Sequence, residues 1–391
     1  MPSLSFFSGI SVTLAVFSFV YIKIDSFLGW NSAPAIKNNS IFNSIIDSFF
    51  PNDVAPIFAL RNDFGLTITK PVPANHSILT LSLDTNPFVI DGTRNVPSQL
   101  SILNGFSDLS QEARTVISIA VYKVSSDEFS NPLSLLWKGV GVWPIPDVRW
   151  VGYLGLFALG VNQTGVAEID RHIVKSLEVL GECGSFLKNQ QSLNRSLHLI
   201  DEAELRWTWV FLNAYGISIN KGVKILEPHL MFARRTLDIT KAVTVKLEGR
   251  KIKVTSQRNM QKGDELFLDA TGEMSDGFAL LFHGSWIADE SIHRGRFWFP
   301  VSQTGCATDE EFPQGVMSVW LSNDTQELEV SRAKILRCFS DPREMLKKAL
   351  LEMHTGIELP HKSAIEAVRF QYFNLLYSEY VYWEERIARG K

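Results

Sequence analysis

Between Gln261 and Trp286 the chain reads QKGDELFLDATGEMSDGFALLFHGSW, and no other stretch restricts its folding as tightly. Gly263-Asp264-Glu265 is a turn signal, and the apolar run Leu266–Leu268 behind it has the length of a strand rather than a helix. Ala270–Gly272 supplies a small-residue kink. Ser275–Phe282 then follows as a helical run, stopped at His283-Gly284. A chain that must turn, extend, kink and coil over so short a distance has to set that strand and that helix against one core.

The rest of the chain is large enough to provide that core. Its 391 residues suit two domains or one large domain with an appendage. Hydrophobic residues make up 45% and charged residues 20%, which excludes wholesale disorder. The formal charge is only −4 and no Lys/Arg tract occurs, so nucleic acid is not the expected partner. Cys183, Cys306 and Cys338 form no CxxC, so no metal is expected; they allow at most one disulfide, and their spacing leaves open whether it forms.

At the N-terminus, Leu4–Ile22 runs for 19 residues without a charge. As a helix it would extend roughly 28 Å, close to the hydrocarbon thickness of a bilayer. It reads as an uncleaved anchor; a signal peptide cut near Ala33-Pro34-Ala35 and a buried soluble helix are the alternatives. Lys23 alone favours a cytosolic body only weakly. Five Asn-x-Ser/Thr triplets, at Asn38, Asn75, Asn162, Asn194 and Asn323, point the other way, to a lumenal or extracellular one. The expected location is thus a membrane of the endoplasmic reticulum or secretory pathway.

Beyond a polar and aromatic stretch over 25–52, Ile57–Leu60, Leu66–Thr69 and Ile78–Leu83 read as strands. The 3-1-3 stepping of Val116, Ile119, Ala120 and Lys123 predicts a helix within 108–136, and Ile169–Leu180 and Ser192–Val210 read as two more. Val243–Leu247 and Lys251–Thr255 form a hairpin signal across Glu248-Gly249-Arg250. At the C-terminus Ser363-x-x-Glu366 has the form of a capping box. Ile365, Val368, Tyr372, Leu376, Tyr380, Trp383 and Ile387 then make one apolar stripe, the pattern of a helix packed on helices.

Several of these stretches carry a resemblance. Arg61–Leu66 with Lys70–Ala74, Glu204–Trp209, Leu226-Glu227-Pro228 and Gly263–Trp286, with a weaker match at Ser130–Pro144, are similar in order to the motifs of SET-domain methyltransferases. The subclass is that of Rubisco large-subunit methyltransferase. The resemblance implies an α+β fold of SET-domain β-sheets with a helical insertion and a C-terminal helical domain, to which the residues themselves add the N-terminal apolar segment. With the apolar run and the polar stretch behind it, which the residues themselves mark, the expected division is an anchor or signal at 1–24, a stalk at 25–52, a SET-like domain at 53–332 with its insertion at about 108–205, and helices at 333–391.

The same resemblance implies an S-adenosylmethionine site, and there the chain departs from the pattern. The family's Asp-Met-x-Asn-His becomes Met231-Phe232-Ala233-Arg234-Arg235, replacing acceptor-capable groups with guanidiniums that only donate. The Ser/Thr-Arg after the Trp helix becomes Ala214-Tyr215, the first glycine of the opening turn becomes Asp63, and the closing tyrosine gives way to Asp269-Ala270-Thr271. The degenerate cleft is expected to hold Phe64, Gly65, Tyr215, Arg234 and Arg235, with no assignable catalytic residue. The favoured expectation is a membrane-associated, SET-like protein-binding module without methyl transfer, its partner another protein or a peptide. The alternatives are an active S-adenosylmethionine-dependent protein N-methyltransferase acting on lysine or histidine, and an unrelated α+β protein of the secretory pathway. His283 and His293 beside Asp289 and Glu290 fit no zinc spacing, Asp309-Glu310-Glu311 reads as a solvated loop, and His283-Gly284-Ser285 is no nucleophile elbow.

Overall fold

The computed structural model describes residues 58–60, 66–84, 89–124, 164–190, 195–220, 223–226, 228–231, 233–236, 238, 240–269, 275–283, 292–301, 306, 308, 315–353 and 362–389. The apolar run Leu4–Ile22, the expected stalk, Phe64-Gly65, Ser130–Pro144 and Asp309–Glu311 lie outside the described residues. Among the described residues no helix is long and apolar enough to cross a membrane.

In chain order the elements are β1 (Phe58–Leu60), β2 (Leu66–Ile68), β3 (Ser77–Ser82), α1 (Ser98–Ser101), α2 (Gln111–Val124), α3 (Ala167–Gln190) and α4 (Glu202–Tyr215). Then come β4 (Ile217–Asn220), β5 (Val223–Ile225), α5 (Pro228–Met231), β6 (Arg234–Thr236), β7 (Ala242–Glu248), β8 (Lys251–Ser256) and β9 (Phe267–Asp269). The chain finishes with α6 (Asp276–His283), the strands β10 (Arg294–Pro300) and β11 (Val316–Ser322), and the helices α7 (Thr325–Cys338), α8 (Pro342–Met353) and α9 (Lys362–Ala388).

The principal sheet runs β3-β8-β7-β9-β6. β7 and β8 form the anticipated hairpin, and Gly249 at its tip takes the φ of +62° that tight hairpin turns require. β9 is inserted between β6 and β7 and runs parallel to both, although those two strands are neighbours in sequence. The chain between them, of which Asp238 and 240–241 are described, therefore links two parallel strands that are not hydrogen-bonded neighbours. Parallel crossovers usually need a dozen residues or more; here Asp238 folds the link tightly, its Oδ1 accepting from Thr240 N at 3.0 Å and its Oδ2 pairing with Lys241 Nζ at 3.0 Å. Those contacts hold the Asp238 carboxylate below its ordinary pKa, the Thr240 hydroxyl contributing most.

The insertion is a helical layer of α2, α3 and α4. Asp201 caps α4 by accepting from Glu204 N at 2.8 Å, giving a first-turn N–H the acceptor that the helix itself cannot supply. The expected single helix over Ser192–Val210 is thus two pieces, a 3-10 turn at Arg195–Leu199 and then α4, because Asp201 takes extended backbone between them. Trp209 Nε1 donates to Ser176 Oγ at 2.8 Å between α4 and α3. Lys123 braces α2 to α4, meeting Glu204 at 2.6 Å and lying 3.6 Å from the centre of the Trp207 ring.

The C-terminal stripe is buried as its spacing predicts: Ile365, Val368, Tyr372, Leu376 and Trp383 are each almost wholly inaccessible. The capping-box expectation is corrected, since α9 begins at Lys362 and Ser363 lies inside its first turn. Glu379, on the buried side of α9, accepts from Trp383 Nε1 at 2.7 Å and pairs with Arg332 of α7 at 3.0 Å. Cys306 and Cys338 form a disulfide with Cα atoms 5.5 Å apart, tying the stretch after β10 to the end of α7; Cys183 is free and buried.

Candidate functional site

The described residues that the sequence resemblance marks lie at the C-terminal end of α4 and on β6. Alternation along a strand sends Arg234 and Arg235 to opposite faces. Arg235 turns to α4, where Nη1 donates to Ala214 O at 2.6 Å and Nη2 to Gly216 O at 2.8 Å. A helix end leaves its last carbonyls without intrahelical partners, so this guanidinium serves as a C-terminal cap. Arg234 meets Glu265 at 3.3 Å and is 42% exposed. The two arginines do not act as a pair.

Tyr215, the last residue of α4, packs its ring 5.1 Å from Phe211, which in turn stacks at 5.0 Å on Trp207. Burial pushes its phenol up to about 12 even though the Arg235 charge pulls it down. The hydroxyl is therefore a neutral donor at physiological pH. Nearby, Lys224 Nζ donates to Asn213 Oδ1 at 2.7 Å and faces the Phe278 ring of α6. Asp269, the first residue of the triplet standing where the family tyrosine is expected, is exposed, and its charge acts on Arg294 and Glu327.

A second polar centre was not foreseen from the sequence. Glu168, in the first turn of α3, is buried and accepts the hydroxyl of Tyr372 from α9. Arg296 N reaches the same carboxylate oxygen at 3.3 Å, and Gly277 N donates to Tyr372 Oη at 3.2 Å. One carboxylate thereby gathers α3, α6, β10 and α9. The approach is close: a Cβ on Gly295 would stand 3.0 Å from the Tyr372 ring, and one on Gly277 would stand 3.1 Å from its hydroxyl. Burial drives Glu168 up to about 7, against the opposing hydrogen bonds from Tyr372, Ser275 and Arg296.

Around this centre, Asp276 meets His293 Nδ1 at 3.2 Å, and burial raises the Asp276 carboxyl. Arg294 and Glu327 pair at 3.1 Å. His172 packs edge-on to Phe278 and Phe282; burial first, then the charges of Lys224 and Arg296, push it down to about 3, so its imidazole is neutral. Among the described residues no group of acidic, histidine or cysteine side chains is placed to hold a metal. The only signal for Glu168 in sequence was an acidic residue in a first helical turn, which ordinarily marks a solvated helix start.

Thus Tyr215 and Arg235 come together, Arg234 faces elsewhere, and Phe64 and Gly65 lie outside the described residues. No protein-family description matches the sequence, and no curated protein does. Solved structures do. The fold is similar to the SET domain of LSMT bound to methyllysine and AdoHcy, with a TM-score of 0.56 and 13% identity over 90% of this chain and 92% of that one. It is similar also to Rubisco LSMT bound to AdoMet, with a TM-score of 0.54 and 13% identity over 91% and 92%. Rubisco LSMT bound to sinefungin and monomethyllysine gives a TM-score of 0.53 and 13% identity over 91% and 93%. The chain has a SET-domain fold with a helical layer and C-terminal helices.

Proposed function

We propose that this chain uses the SET fold to bind another protein or a peptide, without transferring a methyl group. The observation that carries the reading is the commitment of Arg235. Where the family's cofactor motif offers an asparagine and a histidine, this chain places a guanidinium whose donors are taken by the carbonyls of Ala214 and Gly216. S-adenosylmethionine presents amino and adenine groups that need acceptors and a sulfonium that a fixed positive charge repels. The described residues do not fit that cofactor. Tyr215 adds no base, because its phenol stays protonated.

A second reading, an S-adenosylmethionine-dependent protein N-methyltransferase acting on lysine or histidine, is favoured by the ligands of the similar structures, which hold AdoMet, AdoHcy and methylated lysine. Calorimetric titration of the chain with S-adenosylmethionine separates the two. No binding heat is expected up to millimolar cofactor; a micromolar Kd would replace the first reading with the second.

The proposed setting is the lumenal side of the secretory pathway, with Leu4–Ile22 as the membrane contact. The Cys306–Cys338 bridge supports it, since disulfides persist in oxidising compartments and are rare in the cytosol. The cofactor is made in the cytosol, so a lumenal body also accords with a binding role.

A further inference from the structure

We propose that Asn75 carries an N-linked glycan, an assignment that rests on the lumenal placement of the body. Of the five acceptor triplets, those at Asn75 and Asn323 have their asparagine within the described residues, and the fold treats the two differently.

Asn75 sits in the turn that leads from Val72 into β3, at φ +61°. Asparagine tolerates this left-handed conformation better than most residues. The turn backbone is anchored on the far end of β8: Asn75 N donates to Ser256 O at 2.7 Å, Ser256 N to His76 O at 3.1 Å, and Ala74 N to Asn259 Oδ1 at 2.9 Å. Every one of these contacts uses backbone of the acceptor turn. The Asn75 side chain is exposed, and its carboxamide makes no hydrogen bond among the described residues. The fold thus fixes the backbone of the triplet and leaves the amide nitrogen facing water, so a glycan there displaces nothing.

Asn323 is the counter-example. Its Oδ1 accepts from His293 N at 2.8 Å, its own N–H donates to His293 O at 3.1 Å, and the next residue, Asp324, caps α7 through Gln326 N and Glu327 N. Asn323 is exposed as well, but its carboxamide oxygen is committed to the junction of β10 with α7, which fixes the amide's orientation, and we expect it unmodified.

The reaction is an ordinary group transfer. The Asn75 Nδ2 forms a bond to the anomeric carbon of a lipid-linked oligosaccharide. The bond from that carbon to the lipid pyrophosphate breaks, the pyrophosphate leaves with its electron pair, and the amide proton passes to the host transferase. Ser77 supplies the hydroxyl that the acceptor triplet requires.

The test is the full chain expressed through the secretory pathway of a eukaryotic host, released with an amidase in heavy-oxygen water and mapped by peptide mass spectrometry. The expected result is oxygen incorporation at Asn75 and none at Asn323. Asn75→Gly keeps a residue suited to positive φ and removes the acceptor; Ser77→Ala keeps the asparagine and removes the hydroxyl. Each is expected to fold, to retain the disulfide and to lose one glycan step on a gel. An unmodified Asn75 beside another occupied triplet overturns the site and leaves the lumenal placement standing. If every triplet is bare, the site fails; free thiols at Cys306 and Cys338 in the same sample would show that the placement failed with it.

Discussion

The two polar centres of this fold are made of opposite materials and do different work. At β6 a half-buried guanidinium rests on two carbonyls at a helix end, with its neighbour Arg234 reaching toward solvent. At the start of α3 a carboxylate and a phenol are enclosed together, tying four elements through two oxygens, Glu168 Oε2 and Tyr372 Oη. The first stands where the resemblance locates cofactor chemistry; the second stands where no motif drew notice. Burial, rather than motif position, decides where removing an atom costs most.

The hardest test of that contrast is Tyr372→Ala. It opens a cavity against Phe297 and Gly295 and strips Glu168 of its phenol donor, so a loss of about 4–5 kcal/mol is expected in a denaturant unfolding curve. A loss under about 1 kcal/mol would remove the difference between the centres.

Glu168→Gln sharpens it through pH. The folded carboxyl titrates at about 7 against 4.5 for its ordinary value. A raised pKa means that the proton favours the fold: the contribution is complete below 4.5 and is lost as pH rises through 7. The stability of the native chain relative to Glu168→Gln should therefore fall by about 3 kcal/mol across that window. His172 and Asp276 occur in both proteins and largely cancel in the difference. A flat difference between pH 4.5 and 8, measured by unfolding at each pH, would contradict the buried-carboxyl assignment.

The smallest effect distinguishes the adjacent arginines. Arg235→Ala leaves two helix-end carbonyls uncapped and should cost about 1–3 kcal/mol. Arg234→Ala breaks a largely exposed ion pair and should stay within about 1 kcal/mol. Equal losses by thermal unfolding would mean that the strand does not divide their roles.

Much of this architecture was legible in the sequence because it rests on local signals. Gly249 announces the β7–β8 hairpin, and the stripe from Ile365 to Trp383 announces the packed face of α9. The run after Gly263 forms a strand and a helix, with β9 beginning one residue later than expected and Leu266 N donating instead to Leu66 O at 2.8 Å. The hidden parts depend on partners distant in the chain. Asp201 became visible as a cap only once Glu204 N was seen to use it, and nothing near Glu168 hints at a tyrosine from α9. At the candidate site the substitutions could be read, but the division of Arg234 from Arg235 needed the strand's direction and the end of α4.

The bond between Glu168 and Tyr372 also sets a clock. The two residues are 204 positions apart, so the carboxylate leaves the ribosome long before its phenol exists. At about 5–20 residues per second, that interval is roughly 10–40 s. Throughout it Glu168 lacks its phenol donor, and only the donors from Ser275 and Arg296, made earlier, are there to meet it. The full set of bonds around Glu168 is completed only when α9 has been made.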